Sequence, residues 1–405
     1  MIEYFETPKP FNASRCKECG TCLSSCPVMK LPIDDAKREI VRLKQGEEAI
    51  ALKNCTSCLA CDLYCPEGAN PAELILQRWR EINLRRPLPI RAKYFLPHAR
   101  PNFRTYAIER MSKDERSLIE SWKNMSPANE VCYPGCNMIV TPHLTRTKAL
   151  RGLEIRGSLE VCCGEMYWRM GLFDHLRQAA KRTTDFFRKL QAEKVVILCT
   201  AGYFMFKEVL PHFGGQYNFS IESYLEYLRR RTEKGELKFP GKLEIKVTIQ
   251  DSCYGKQFGD DYMNIPRQIL SQAGCSIVEM ENSKADMLCC GIGAGFSPSS
   301  AYNPIRMMLS AMKILKQARS TGAQAIVTYC SGCLQMLSTA SILYPLSPPI
   351  YHILEIIEKA MGGEPEDFSK TVAMQVFKGV ARNQFPVLLS RRRFSPPHID
   401  QLEIQ

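Results

Sequence analysis

Thiols dominate the chemistry open to this sequence. Cys16, Cys19, Cys22 and Cys26 precede Pro27, and Cys55, Cys58, Cys61 and Cys65 precede Pro66, so each set reads C-x2-C-x2-C-x3-C-P. Thiolates are soft, anionic ligands that suit zinc or iron–sulfur clusters. A single C-x2-C pair would favour zinc; two complete four-cysteine runs favour clusters, with two structural zinc sites as the competing reading. In bacterial runs with these gaps the fourth cysteine ligates the other cluster. That rule assigns Cys16, Cys19, Cys22 and Cys65 to one [4Fe-4S] cubane, and Cys55, Cys58, Cys61 and Cys26 to a second.

A further set of cysteines recurs downstream. CYPGC at Cys132–Cys136 is echoed by DSCYG around Cys253, VCCGE at Cys162 and Cys163 by LCCGI at Cys289 and Cys290, and ILCTAG at Cys199 by TYCSGC at Cys330 and Cys333. The echoes keep a nearly constant offset, as expected of one unit copied twice. Adjacent cysteines need an unusual turn to share a site, and Gly164 and Gly291 supply the backbone freedom. Cys330-Ser-Gly-Cys333 precedes an apolar helical run, Leu334 to Ile342, which places its thiols at a helix N-terminus, where the dipole favours thiolate. The first copy departs from the second: Gly202 stands where the closing cysteine belongs. Cys136, Cys162, Cys163 and Cys199 remain, and Cys132 could replace the lost ligand. Four thiolates could hold a cubane cluster or zinc, and an empty site is the third alternative; of these the reading adopted is a degenerate, non-catalytic site without stoichiometric iron. Cys275 fits no motif and is expected to pack as a small apolar residue.

The surrounding elements follow from periodicity. Asp34 to Lys53 carries apolar residues at helical spacing, and a second helix is expected from Pro71 to Arg85. The module over 1–86 is therefore read as an α-helical two-cluster ferredoxin. The proline-rich stretch from Arg85 to Pro101 opens a linker, 87–127. Beyond it, β-rich runs at Val131–Tyr133, Val195–Leu198, Leu243–Gln250, Ser276–Met280 and Ala325–Tyr329 alternate with amphipathic helices, which predicts a mostly parallel sheet flanked by helices. The fold class is α+α/β, with one α/β unit over 128–235 and a complete one over 236–362. A basic tail, 363–405, carries Val372, Val376 and Val380 as one stripe of a packed helix.

Composition bounds the function. The 405 residues predict two to four domains, and 45% apolar content argues against disorder. Nineteen cysteines in so long a chain exclude a small disulfide-stapled secreted scaffold. The start, MIEYFETPKP, does not read as a signal peptide, and the apolar run around Val195 to Phe206 is too short to span a bilayer. The expectation is a soluble or peripheral intracellular protein. The net charge of +12 omits the clusters, each of which carries a charge of about minus two with its four thiolates. Nucleic acid is not expected as a partner, because no recognition fold accompanies the charge. The remaining charge suits an acidic partner or anionic lipid, with Lys378, Arg382 and Arg391–Arg393 as the candidate contact. GIGAGF at Gly291–Phe296 lacks the spacing and preceding strand of a nucleotide loop. The six histidines show no metal-ligand spacing, and His98 and His143, near prolines, are expected at the surface or in caps.

CYPGC, CCG and CSGC in tandem resemble the cysteine-rich CCG domains of the heterodisulfide reductase superfamily. Their fusion behind an α-helical two-cluster ferredoxin is similar to the iron–sulfur subunit of membrane-associated heterodisulfide reductase. It is equally similar to the iron–sulfur subunits of anaerobic glycerol-3-phosphate dehydrogenase and glycolate oxidase. The resemblance covers roughly 10–360. It implies a noncubane [4Fe-4S] cluster on Cys253, Cys289, Cys290, Cys330 and Cys333, the catalytic station in disulfide-reducing members. It further implies an electron-transfer subunit of a multisubunit oxidoreductase, working between a flavoprotein subunit and a quinone or a membrane subunit. The protein would then be cytoplasmic or peripheral on the inner face of the cytoplasmic membrane. The competing implication is a catalytic subunit that reduces a disulfide or persulfide at that cluster. One complete unit weakens this second reading, because heterodisulfide cleavage in the family uses paired clusters.

Overall fold

The computed structural model describes residues 7–365 and 369–401. The N-terminal region is helical: helices span Thr21–Ser24, Ile33–Gln45, Ile50–Asn54, Ala60–Tyr64 and Pro71–Arg85. The single helix expected over Asp34–Lys53 is broken. Gly46 caps Ile33–Gln45 in the left-handed conformation, φ 76°, the ordinary way for glycine to end a helix. The Pro71–Arg85 helix has the expected bounds, with Pro71 in its first turn.

The strands follow in chain order: β1 (Leu88–Pro89), β2 (Glu130–Tyr133), β3 (Glu154–Ile155), β4 (Lys194–Ile197), β5 (Ser220–Ser223), β6 (Lys246–Gln250), β7 (Ser276–Ile277), β8 (Ala325–Thr328), β9 (Ile350–His352) and β10 (Arg393–Phe394). The α/β region holds not one sheet but two, each four-stranded, with orders β3-β2-β4-β5 and β7-β6-β8-β9. All pairs within both sheets are parallel. The central strands read as continuous apolar runs, Val195-Val196-Ile197 and Ala325-Ile326-Val327, as expected where both faces are covered by helices. Strands β3, β5 and β9 escape sequence reading because they are short and lie beside long helices.

Both sets of strands reverse direction across the sheet at the same place. After β2 the path goes to one side (β3) and then returns past it to β4; β6, β7 and β8 repeat the move. Such switch points open a crevice beyond the strand C-termini where ligands bind. Cys136 and Cys199 follow the C-terminal ends of β2 and β4, and Cys253 and Cys330 follow those of β6 and β8. The topology itself therefore brings these thiols to the crevice.

Segment 87–127 is not a free linker. Leu88, Ala92, Tyr94, Phe95, Leu96 and Phe103 are buried, and β1 pairs antiparallel with β10. Its apolar residues, spaced between prolines, pack into the same core as the sheets. The C-terminal stripe packs as expected on the helix Ser369–Gln384, where Val372 and Val376 are buried. Residues 366–368 and 402–405 of the expected tail lie outside the described residues. Among the described residues no helix is long and apolar enough to cross a membrane.

The ferredoxin-like region meets the first sheet unit at a close approach of backbone to side chain. A Cβ on Gly171, φ 70°, would lie 2.3 Å from Arg80 Cβ and 2.7 Å from its Cα. Gly171→Ala is therefore expected to cost about 3 kcal/mol through clash and left-handed strain. Gly152→Ala, also left-handed at φ 96° but with nothing within 4 Å, should cost only about 1 kcal/mol. Equilibrium urea unfolding under anaerobic conditions checks this; equal losses would contradict the packing argument.

Candidate functional site

The first eight cysteines gather into two groups, and each group mixes the two runs. Cys22 is pushed up to about 12 by burial and by the neighbouring thiols of Cys65, Cys16 and Cys19. Cys26, by contrast, lines a cavity together with Cys55, Cys58 and Cys61; its empty space is about 430 Å³, and Leu23, Met29, Ile75 and Leu76 close it. Burial, then the thiols of Cys58 and Cys26, raises Cys55. Backbone N–H groups of Ser57 and Ala69 donate to Cys55 Sγ and Cys65 Sγ at 3.2 and 3.3 Å. The fourth cysteine of each run thus leaves its own run.

Cys253, Cys289, Cys290, Cys330 and Cys333 meet at the switch point of the second sheet. Cys330 caps the helix Ser331–Ser341, as the sequence predicts. Hydrogen bonds from the thiols of Cys199 and Cys333, aided by the N–H groups of Cys333 and Gly332, hold Cys330 well below the ordinary thiol range. Cys290 interacts with both Cys289 and Cys333, and Cys253 senses the charges of Cys290 and Cys330. Gly291 has φ 116°, and a Cβ there would lie 2.5 Å from the Met307 carbonyl oxygen; the turn after the cysteine pair requires glycine.

The first-unit thiols assemble similarly. Cys162 Sγ lies 3.5 Å from Cys136 Sγ, and Cys163 senses Cys136 and Cys199. Cys199 also faces the other set: Ser331 Oγ donates to its sulfur at 3.5 Å, and its thiol donates to Cys330. Cys132 stands apart. It lies in β2, where side chains alternate between faces, so it points away from the Tyr133 side that meets the thiols of Cys163 and Cys162. Burial alone pushes Cys132 up to about 12, and it does not take the place left by Gly202. Cys275 is buried as expected, with burial raising it to about 11. Among the described residues no three His, Cys, Asp or Glu side chains converge on a single-ion position.

The decisive residue is one the sequence did not flag. Arg169, only 2% exposed, sits one turn after the first CysCysGly on the helix Glu165–Met170. Its Nη1 donates to Ser57 Oγ at 2.9 Å, its Nη2 to Cys253 Sγ at 3.1 Å, and its Nε to Tyr254 Oη at 2.6 Å. Glu165 Oε1 accepts from Tyr254 at 2.7 Å and pairs with Arg169 Nε at 2.7 Å. Burial disfavours the charge on Arg169, but Tyr254, Cys253, Glu165 and Cys289 outweigh it and raise its pKa well above the usual value. Alongside, a Cβ on Gly293 would lie 2.0 Å from the Thr56 carbonyl oxygen and 2.8 Å from Cys289 Sγ. The ferredoxin-like loop Cys55–Cys58 therefore abuts the five-thiol site. The available signal was a Glu and an Arg at i, i+4, directly after CysCysGly, in an otherwise aromatic and Met-rich helix.

Two histidine expectations are corrected. His98 is 4% exposed and bonded to Tyr167 Oη at 2.9 Å and the Glu160 carbonyl at 3.1 Å; burial lowers it to about 4. His143 is also buried, 3.6 Å from Glu355 Oε1. His98 lies in a turn and His143 in the 3-10 helix Pro142–Arg146, and both segments pack into the core instead of over the surface.

Residues 12–69 match the 4Fe-4S dicluster domain family and residues 247–338 the cysteine-rich CCG domain family. The chain is 25% identical to EtfAB:quinone oxidoreductase of Syntrophomonas wolfei over 89% of its own length and 60% of the relative's. It is 24% identical to a subunit of the dihydromethanophenazine:CoB–CoM heterodisulfide reductase of Methanosarcina barkeri, over 86% of this chain and 93% of that one. It is 23% identical to the probable iron-sulfur-binding oxidoreductase FadF of Bacillus subtilis, over 86% of this chain but 46% of that one. The chain thus spans only part of the first and third of these relatives.

Removing the Arg169 charge leaves the largely covered Glu165, with 15% of its side chain exposed, without its cation, and Cys253 Sγ and Ser57 Oγ without their donor. Arg169→Gln is expected to destabilise the chain by about 3 kcal/mol or more. Arg169→Lys should recover part of this, keeping the charge while losing the fork that reaches Ser57 and Cys253 together. Urea midpoints of the three proteins check it; a loss below about 1 kcal/mol for Gln would contradict the buried-charge account.

Proposed function

We propose that this relative of heterodisulfide reductases and FadF-type iron–sulfur oxidoreductases carries electrons between a flavoprotein subunit and a quinone or membrane acceptor. The observation that supports it most directly is a continuous hydrogen-bonded path from one thiol group to the other. The Ser57 N–H donates to Cys55 Sγ, Ser57 Oγ accepts from Arg169, and Arg169 donates to Cys253 Sγ.

The thiol sets fit iron–sulfur clusters on chemical grounds. Four soft donors around one cavity, Cys26, Cys55, Cys58 and Cys61, are the donor set of a cubane cluster. In this reading Cys16, Cys19, Cys22 and Cys65 hold the other cubane, and Cys253, Cys289, Cys290, Cys330 and Cys333 hold a noncubane [4Fe-4S] cluster. Bound clusters store and pass single electrons at potentials set by burial and by hydrogen bonds to sulfur. The chain supplies those hydrogen bonds from Ser57, Ala69, Gly293 and Arg169. In this reading the flavin belongs to the partner; the glycine-rich run Gly291–Phe296 serves as the turn after Cys290.

The two sheets share strand order and thiol placement, which supports descent of both units from one ancestral CCG unit. The first has lost its closing ligand: Gly202 lies in the helix Thr200–Phe204 that Cys199 caps, as Cys333 lies in the helix that Cys330 caps. A cysteine there would stand beside Cys199, whose Cβ lies 3.7 Å from the position of a Gly202 Cβ.

In anaerobically purified protein, Cys333→Ser should remove the iron of the CCG centre and its paramagnetic signal, while keeping the ferredoxin signals. Cys162→Ser should leave iron content unchanged. Iron analysis with electron paramagnetic resonance checks both, and stoichiometric iron loss in Cys162→Ser would sink the degenerate-site reading. A CCG signal that shifts on addition of a disulfide, with no response to a quinone, would favour the reductase alternative.

A further inference from the structure

An apolar cleft opens beside the CCG thiols. Its empty space, open solvent included, is about 630 Å³. Its walls come from four parts of the chain: Phe95 from the proline-rich segment, Met166 from the first unit, Met307 and Met308 from the helix Pro304–Ser320, and Val376 from the C-terminal helix. Residues that neighbour the thiols in sequence form its floor. Asn137 follows Cys136 in sequence, Ile292 lies two residues after Cys290, and Gln335 and Met336 are on the helix that carries Cys333. A Cβ on Gly332 would lie 3.0 Å from Ile292 Cδ1 and 3.9 Å from Cys330 Sγ. The cleft wall and the Cys330 thiol therefore flank one backbone position.

The polar groups of this cleft are few and specific. Tyr302 and Thr339 both line it, both are buried, and both hydroxyls lack a hydrogen-bond partner among the described residues. Orphaned buried hydroxyls carry an energetic cost of about 1–3 kcal/mol each, which a ligand acceptor would relieve. The Tyr302 ring stacks on Phe95 with centroids 5.0 Å apart and planes within 12°, extending a flat aromatic wall. Behind Asn137 lies the fully buried Arg104, which donates to Asn137 Oδ1 at 2.6 Å and to the Phe95 carbonyl at 2.8 Å. Among the described residues no acidic side chain lines the cleft. A neutral, flat, lipophilic ring with carbonyl acceptors matches this surface; a charged disulfide or a nucleotide does not.

The geometry points to this cleft as the binding site for the ring of a quinone, with Tyr302 and Thr339 donating to its carbonyl oxygens. The inference rests on the electron-relay reading, for which it supplies the acceptor site. Reduction takes two electrons, passed singly through the chain from reduced flavin, and two protons from water, yielding hydroquinone and oxidised flavin. Ile305 and Leu309, on the helix that supplies Met307 and Met308, are 47% and 61% exposed, an apolar approach for an isoprenoid tail.

The test uses the cluster-loaded full chain, decylubiquinone as ligand and a short-tailed azidobenzoquinone as photolabel. Labelling is expected within 292–308 or 333–339 and should be displaced by decylubiquinone. Tyr302→Phe keeps the ring and removes only an unpartnered hydroxyl; it should raise the dissociation constant in equilibrium dialysis about tenfold. Met308→Trp should block labelling by filling the cleft. Cluster signals and their reduction by dithionite should be unchanged in both variants. Label elsewhere, binding indifferent to both variants, displacement by a disulfide but not by quinone, or no quinone binding would each overturn the proposal. The relay reading is tested separately: it fails if the clusters do not reduce or if the CCG signal answers to a disulfide, whereas label elsewhere or binding indifferent to both variants overturns only the cleft assignment.

Discussion

The arrangement depends on one buried cation. Arg169 has almost no contact with water, and an unpaired guanidinium there would not be tolerated. Its fork is satisfied by three parts of the chain at once: Ser57 from the N-terminal helical region, Glu165 from the first sheet unit, and Cys253 with Tyr254 from the second. Only a planar, five-donor group can address such divergent partners from one position. The charge therefore fixes the relative placement of the three regions, and it places a permanent donor against a thiol of the five-cysteine site.

Around that cation, the thiols are delivered by two different devices. In the N-terminal region short helical turns exchange their last cysteines, so that Cys26 and Cys65 each sit with the opposite run. In the sheets, parallel strands end at a switch point, and the thiols stand just beyond the strand C-termini with helix N-termini facing them. Gly293 joins the two devices, because its missing side chain lets the Thr56 carbonyl approach the loop that holds Cys289. Burial raises most of these thiols, so they keep their protons until a metal displaces them.

Much of this was legible in the sequence because thiol spacing is a local property. The short gaps within each cysteine run, the CysCysGly turns and the Cys330 helix start are set by neighbours in the chain, and the structure keeps all of them. The helix Pro71–Arg85 was legible for the same reason. What escaped was non-local. Arg169 is defined by partners more than eighty residues away, and Cys132 looked like a ligand until strand alternation turned it from the site. The proline-rich segment read as a linker because its buried apolar residues have no regular period. His98 and His143 read as surface or capping residues because nothing local predicts that their segments fold inward.

The central claim is that electrons enter the five-thiol site from the adjoining ferredoxin-like centres. Freeze-quench electron paramagnetic resonance of the cluster-loaded protein, mixed with dithionite, tests it most directly. The account predicts that the ferredoxin signals rise first and the CCG-centre signal follows, with a longer lag in Arg169→Lys. A CCG-centre signal that rises together with or ahead of the ferredoxin signals, with no dependence on residue 169, would contradict it.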